Sequence, residues 1–105
     1  MADIMKLLQQ AQQMQGRLQQ IQDELQQRTV SASAGGGMVT VNADGKGQIR
    51  SIKIDPSVVN PSDVEMLEDL IVVAMTDVQR RAAALAQEEM GKLTGGLGLP
   101  FQLPL

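Results

Sequence analysis

Thr29-Val30-Ser31-Ala32-Ser33-Ala34-Gly35-Gly36-Gly37-Met38-Val39-Thr40-Val41-Asn42-Ala43-Asp44-Gly45-Lys46-Gly47-Gln48-Ile49-Arg50-Ser51-Ile52-Lys53-Ile54-Asp55 is the stretch on which the fold turns. Its apolar residues recur at every second position, the period of a strand with one covered face. Val30, Ala32 and Ala34 alternate with Thr29, Ser31 and Ser33. After the glycine triplet, residues 38–42 form a second short strand with Val39 and Val41 on one side. Asp44-Gly45-Lys46-Gly47 signals a hairpin, because glycine and aspartate tolerate the positive φ of tight turns. Residues 48–55 form a third strand with Ile52 and Ile54 on one face. The reading is a three-stranded antiparallel meander over residues 29–56 with one buried face. Its two edges are open, and pairing across a dimer would protect them.

Upstream the period changes. Ile4, Leu7, Ala11, Met14, Leu18, Ile21 and Leu25 are spaced 3-4-3-4-3-4, the a/d stripe of a heptad helix over residues 3–28. Gly16 falls on the outward side, where it weakens the helix by about 1 kcal/mol without breaking the seam. The flanking positions are mostly glutamine, with Arg17 and Glu24 the charged exceptions, so charge pairing does not choose the partner helix. Such a helix is ~38 Å long, whereas a compact domain of this size has a radius of gyration of ~13 Å. Part of the stripe must therefore meet a second chain or project as an arm.

Downstream, Asp55-Pro56 closes the sheet, and a second helix opens near Asn60-Pro61-Ser62-Asp63-Val64-Glu65. Asn60 as cap with Pro61 following, or Ser62 in a capping box with Glu65, both fit. Leu67, Leu70, Ile71, Ala74, Met75, Val78, Ala82 and Leu85 form its apolar stripe. Residues 57–93 are expected to be one helix or a kinked pair. The glycine-rich residues 94–105 are expected to be a mobile apolar tail, and the whole chain one domain.

Composition excludes much chemistry. The 105 residues contain no cysteine and no histidine, which removes disulfides, thiolate metal sites, cysteine nucleophiles and the usual general base. The single aromatic residue is Phe101, so the core rests on aliphatic side chains and seven methionines. No stretch approaches the ~20 apolar residues of a membrane span, and the amino terminus lacks a signal-peptide pattern; a cytoplasmic protein is expected. Gly35-Gly36-Gly37 has no helix start behind it to cradle phosphate and reads as a turn. Asp55 before Pro56 reads as a strand terminator rather than a catalytic acid. No nucleophile–base pair appears, so no enzyme, cofactor, metal or small-molecule substrate is expected.

Binding surfaces remain. Nine Lys and Arg face twelve Asp and Glu, a net charge of −3. Lys6, Arg17 and Arg28 are eleven residues apart, almost three full turns, so they share a helix face with ~16 Å between neighbours. Arg80, Arg81 and Lys92 add positive charge in the second helix. Many of the acids fall in two clusters, Asp23-Glu24 and Asp63, Glu65, Glu68, Asp69 and Asp77, which a fold can hold apart from the cations. A methionine- and glutamine-bearing helix also suits an adaptable grip on another protein.

The run Ala11-Gln12-Gln13-Met14-Gln15, the core Gly37-Met38-Val39-Thr40-Val41, the turn Gly45-Lys46-Gly47, Ile52-Lys53-Ile54-Asp55-Pro56 and Met66-Leu67-Glu68-Asp69-Leu70 resemble the YbaB/EbfC family of nucleoid-associated proteins, over residues 4–93. The resemblance implies an α+β subunit of order α-β-β-β-α in an intertwined homodimer, with helices projecting like tweezers around double-stranded DNA at the nucleoid. It implies DNA contacts at Lys6, Arg17, Arg28, Arg80, Arg81 and Lys92, although Gln19, Gln20 and Gln22 stand where such proteins often carry lysines. The apolar faces expected at the dimer interface are Leu18, Ile21 and Leu25 of the first helix, Val39, Val41, Ile52 and Ile54 of the sheet, and Leu67, Leu70 and Ile71 of the second helix. The alternative is a helical protein-interaction or chaperone-like scaffold that binds no nucleic acid.

Overall fold

The structure is a computed structural model and describes residues 2–96. Helix α1 (Ala2–Gln27) leads into strands β1 (Thr29–Ala34), β2 (Val39–Asp44) and β3 (Ile49–Ile54). A single 3-10 turn (Pro56–Val58) and helix α2 (Val64–Gly96) follow. This is the expected α-β-β-β-α order. The molecule is elongated, 73 × 24 × 16 Å, with a radius of gyration of 19.7 Å, half as large again as the ~13 Å of a compact domain.

The sheet order is β1-β2-β3, antiparallel throughout. Val39 stands opposite Ala34 and Ile54, and Val41 opposite Ala32 and Ile52. Directly opposed residues share a face, so these six side chains line one side of the sheet. α2 lies across that side over β1 and β2. Its contact stripe is Ala74, Val78 and Ala82, four residues apart and all buried. Their small size brings the helix axis close to the strands, and Val39, Val41 and Ala43 lose all solvent contact. The opposite side is polar. There the Ser31 hydroxyl donates to the Asn42 side-chain oxygen, and the Asn42 amide donates to the Ser51 hydroxyl at 3.0 Å.

The cover ends at β2. Ile52 and Ile54 sit on the covered side by register, yet they are 42% and 37% exposed. The expectation of one wholly buried sheet face is corrected here: α2 is one helix wide and reaches two of the three strands. Val39 and Val41, expected at a subunit interface, are enclosed within the subunit.

Neither expected cap starts α2. Asp63 does so, its carboxylate accepting the Met66 N–H at 3.2 Å; Asn60 instead accepts the Ser62 N–H at 2.9 Å in the preceding turn. Asp55 ties down the chain after β3 by accepting the Ser57 N–H at 2.9 Å. The second helix then runs unbroken through Gly91 to Gly96, three residues into the stretch expected to leave regular structure. The rest of that expected tail, residues 97–105, lies outside the described residues.

At 33 residues α2 is ~50 Å long, against ~20 Å for a six-residue strand. Its C-terminal half overhangs the sheet and runs antiparallel to α1. Arg28 meets Glu89, and Arg17, Gln20, Ile21 and Glu24 share a groove with Glu89, Lys92 and Leu93. Leu25 and Leu93 are buried there, and Met14, Leu18 and Ile21 partly so. Residues 3–13 of α1 are exposed throughout. The molecule is thus a sheet-and-helix body with a two-helix arm that thins to one helix.

Candidate nucleic-acid interface

The six expected cations fall into two environments. Lys6, Arg17 and Arg80 form no ion pair among the described residues. Arg28 lies 3.9 Å from Glu89, and Lys92 lies 3.3 Å from the same carboxylate. Arg81 pairs with Asp77 at 3.2 Å and donates to the Ser31 carbonyl at 3.4 Å, which pins it to the β1 edge. A carboxylate already beside a guanidinium lowers the local positive potential available to a phosphate. The unpaired three are the stronger candidates.

The structure brings Arg17, Arg28 and Lys92 together on the arm, places Lys6 alone near its tip, and sets Arg80 and Arg81 on the part of α2 over the sheet. The expected separation of acids from cations holds in part. Asp23 lines an open cavity of about 670 Å3 with Arg28 and Arg50, and Glu24 and Glu89 share the arm groove with Arg17 and Lys92. Asp63, Glu65 and Asp69, by contrast, gather at the N-terminal end of α2, away from the arm.

Three cations of the sheet region escaped sequence reasoning. Lys46 on the β2–β3 turn and Lys53 on β3 make no ion pair among the described residues, and Arg50 pairs with Asp44 at 3.3 Å. Strand residues carry no helical spacing that would group them, so nothing in the pattern singled them out. Arg50 is the extra residue of a bulge, since Asn42 pairs with Ser51 and Ala43 with Ile49. That kink swings its guanidinium back over the end of α1.

Asp44 is 1% exposed. Burial pushes its carboxyl up, but the N–H groups of Gln48 and Lys46 and the Arg50 guanidinium outweigh burial and hold it below its ordinary value. The N–H bonds from Lys46 and Gln48 are 2.9 and 3.0 Å long. Asp55 is also held low, chiefly by the backbone and hydroxyl of Ser57. Both carboxylates organise turns. Among the described residues no group of three or more acidic side chains gathers as a metal site, and no helix is long and apolar enough to cross a membrane.

The class defined is an elongated α-β-β-β-α subunit with cations on a protruding helical arm. The sequence profile of the YbaB/EbfC DNA-binding family matches residues 1–97, and the chain belongs to that family. It is 58% identical over 102 residues to a nucleoid-associated protein of Gemmatimonas aurantiaca, covering 97% of this chain and 98% of the relative. A nucleoid-associated protein of Desulfotalea psychrophila is 49% identical over 98 residues, covering 93% and 92%. The crystal structure of an uncharacterised protein, HP0035 from Helicobacter pylori, shares the fold with a TM-score of 0.71 at 22% identity, covering 89% of this chain and 94% of that one.

Proposed function

We propose that this protein binds duplex DNA as a homodimer, with little sequence preference, through phosphate contacts made by exposed cations of its helices. The observation that carries the reading is the pair Lys6 and Arg17. They are eleven residues apart on one face of a helix that outreaches its own body, and neither is neutralised by a carboxylate among the described residues. Membership of a DNA-binding family supports it. The names of the relatives extend it to association with the nucleoid. Arg80 is the third unpaired cation among the six expected; Arg28, Arg81 and Lys92 contribute by exchanging their carboxylate partners for phosphate. Among the described residues no short helix presents Asn, Gln and Arg together for base edges, and the affinity proposed is phosphate-driven.

The dimer is supported by the apolar surface left open. Ile52 and Ile54 are exposed on the core side of β3, and Leu67, Leu70 and Ile71 of α2 are only partly buried; a second copy would cover them. Leu18 and Ile21 retain partial exposure for the same purpose, whereas Leu25 packs within its own chain.

Binding of random-sequence duplex across a salt series tests the reading. With four to six phosphates neutralised per dimer, the logarithm of affinity should fall against log salt with a slope of roughly −4 to −5. Affinity indifferent to salt rejects the mechanism. One observation favours a protein partner instead: Ile4, Met5, Leu7 and Leu8 are all more than half exposed near the arm tip. Suppression of client aggregation that survives Arg17→Glu, without DNA binding, would put that reading in its place.

A further inference from the structure

We propose that residues 44–47 and Arg50 are the mount of the α1 arm: they fix the direction in which its cations are presented while touching no ligand themselves. The functional consequence rests on the DNA-binding reading above; the geometry does not.

A helix ends with carbonyls that have no donor of their own, and the common remedy is a glycine just past the last turn. α1 has none, because Arg28 follows it and β1 begins at Thr29. Its last turn carries no basic residue either. Arg28 N–H reaches back to the Glu24 and Leu25 carbonyls, both at 3.1 Å, and further donors come from across the fold. Gly45 N–H donates to the Leu25 carbonyl at 2.7 Å, and Arg50 Nη2 donates to the Gln26 carbonyl at 3.1 Å. A guanidinium at this end also complements the negative pole of the helix.

Gly45 is required by closeness rather than by backbone angle, since it is absent from the positive-φ glycines. A Cβ there would lie 2.6 Å from the Leu25 oxygen and 3.0 Å from its Cδ2. The oxygen, and the Cα at 3.1 Å, are backbone atoms of Leu25, the one buried residue of α1 among those described, so any side chain pushes α1 off the turn. Asp44 holds the assembly from below, binding the Lys46 and Gln48 N–H groups with Oδ1 and Arg50 with Oδ2. The order of dependence is Asp44, then Arg50, then the end of α1.

Leverage makes this matter. Lys6 is nineteen residues from Leu25, ~29 Å along the helix axis, so a tilt of ~10° at the mount moves it by ~5 Å. That exceeds the reach of an N–H···O bond. Arg17, eight residues from the mount, moves less than half as far.

The test reads arm position without DNA. The chain has no cysteine, so Gln10→Cys on the arm and Thr76→Cys on α2 give one spin-label pair, diluted with unlabelled chain so that the distance read is within a subunit. Gly45→Ala and Arg50→Gln should each shift or broaden that distance by several ångströms. Arg50→Lys, which keeps a donor, should largely restore it, and Lys53→Gln should leave it unchanged. In DNA binding, the two mount variants should flatten the salt slope by about 2, because each arm of the dimer then neutralises one phosphate fewer. If Gly45→Ala does not fold, Arg50→Gln alone decides. Unaltered distances in the mount variants overturn the proposal. Altered distances in a protein that binds no DNA even unmutated support the mount and overturn the DNA-binding reading instead.

Discussion

β2 and β3 are neighbours with the same period-2 pattern and the same apolar side, and they meet opposite fates. Val39 and Val41 are wholly enclosed, while Ile52 and Ile54, directly opposite them, stay open to solvent. α1 repeats the contrast along its length. Its seam is buried at Leu25, partly covered at Leu18 and Ile21, and bare at Ile4 and Leu7. In both elements the covered half is the chain's own core and the bare half is the part we assign to partners. Periodicity identifies a face; the number of elements available decides how much of it the chain can cover.

The largest expected effect sharpens that contrast on the covered side. Val41→Asp places a charge with no partner in a closed core and should leave the subunit unfolded at room temperature by circular dichroism. Val41→Ala should lower unfolding free energy by about 2–3 kcal/mol in a denaturant melt. Ile52→Ala should alter the melt of a dilute, dissociated subunit by less than half as much. Equal losses at the two sites would erase the distinction between them.

The cations permit a second comparison, free against paired. Arg17→Glu should weaken binding to random duplex by tenfold or more at low salt. Arg81→Glu, whose parent is already held by Asp77 and the Ser31 carbonyl, should cost less affinity. Gel shifts at two salt concentrations separate them, and the reverse ranking would contradict the assignment of Arg17 as a primary DNA contact. Asp63→Ala, which removes the cap of α2, should cost about 1 kcal/mol in the same denaturant melts.

The smallest effect is a pH dependence. Asp44's carboxyl is held below its ordinary 3.8, so its contribution to folding is complete above that pH. It is lost as pH falls through the lowered value. Asp44→Asn should therefore melt earlier than the parent at pH 6, and the gap should narrow below pH 3.8. A gap that widens in acid would mean the carboxylate is not stabilised as described.

Much of this architecture is legible in the sequence alone. β1 spans the expected residues, and α1 differs from expectation by one residue at each end, because uninterrupted periods leave little choice. The expected end of β2 at Asn42 falls short, since Asp44 has the look of turn material, whereas it closes the strand with its carboxylate buried. The unbroken run of α2 is open on sequence grounds; packing of Leu93 against the arm holds the helix together past Gly91. Pairs close in sequence, such as Asp77 with Arg81, follow the i,i+4 rule. The pairing of Arg28 with Glu89, and the requirement for glycine at position 45, depend on two segments meeting in space and leave no local trace. That is why the cations are legible as a set and their inequality is not.

In the proposed dimer, the open side of β3 joins two copies of this chain. Sedimentation equilibrium of the parent and of Ile52→Asp/Ile54→Asp, with circular dichroism as a control, tests it most directly. A dimeric parent at micromolar concentration is expected, with a monomeric variant that keeps the parent's circular dichroism spectrum. A monomeric parent, or a variant that stays dimeric, would contradict it.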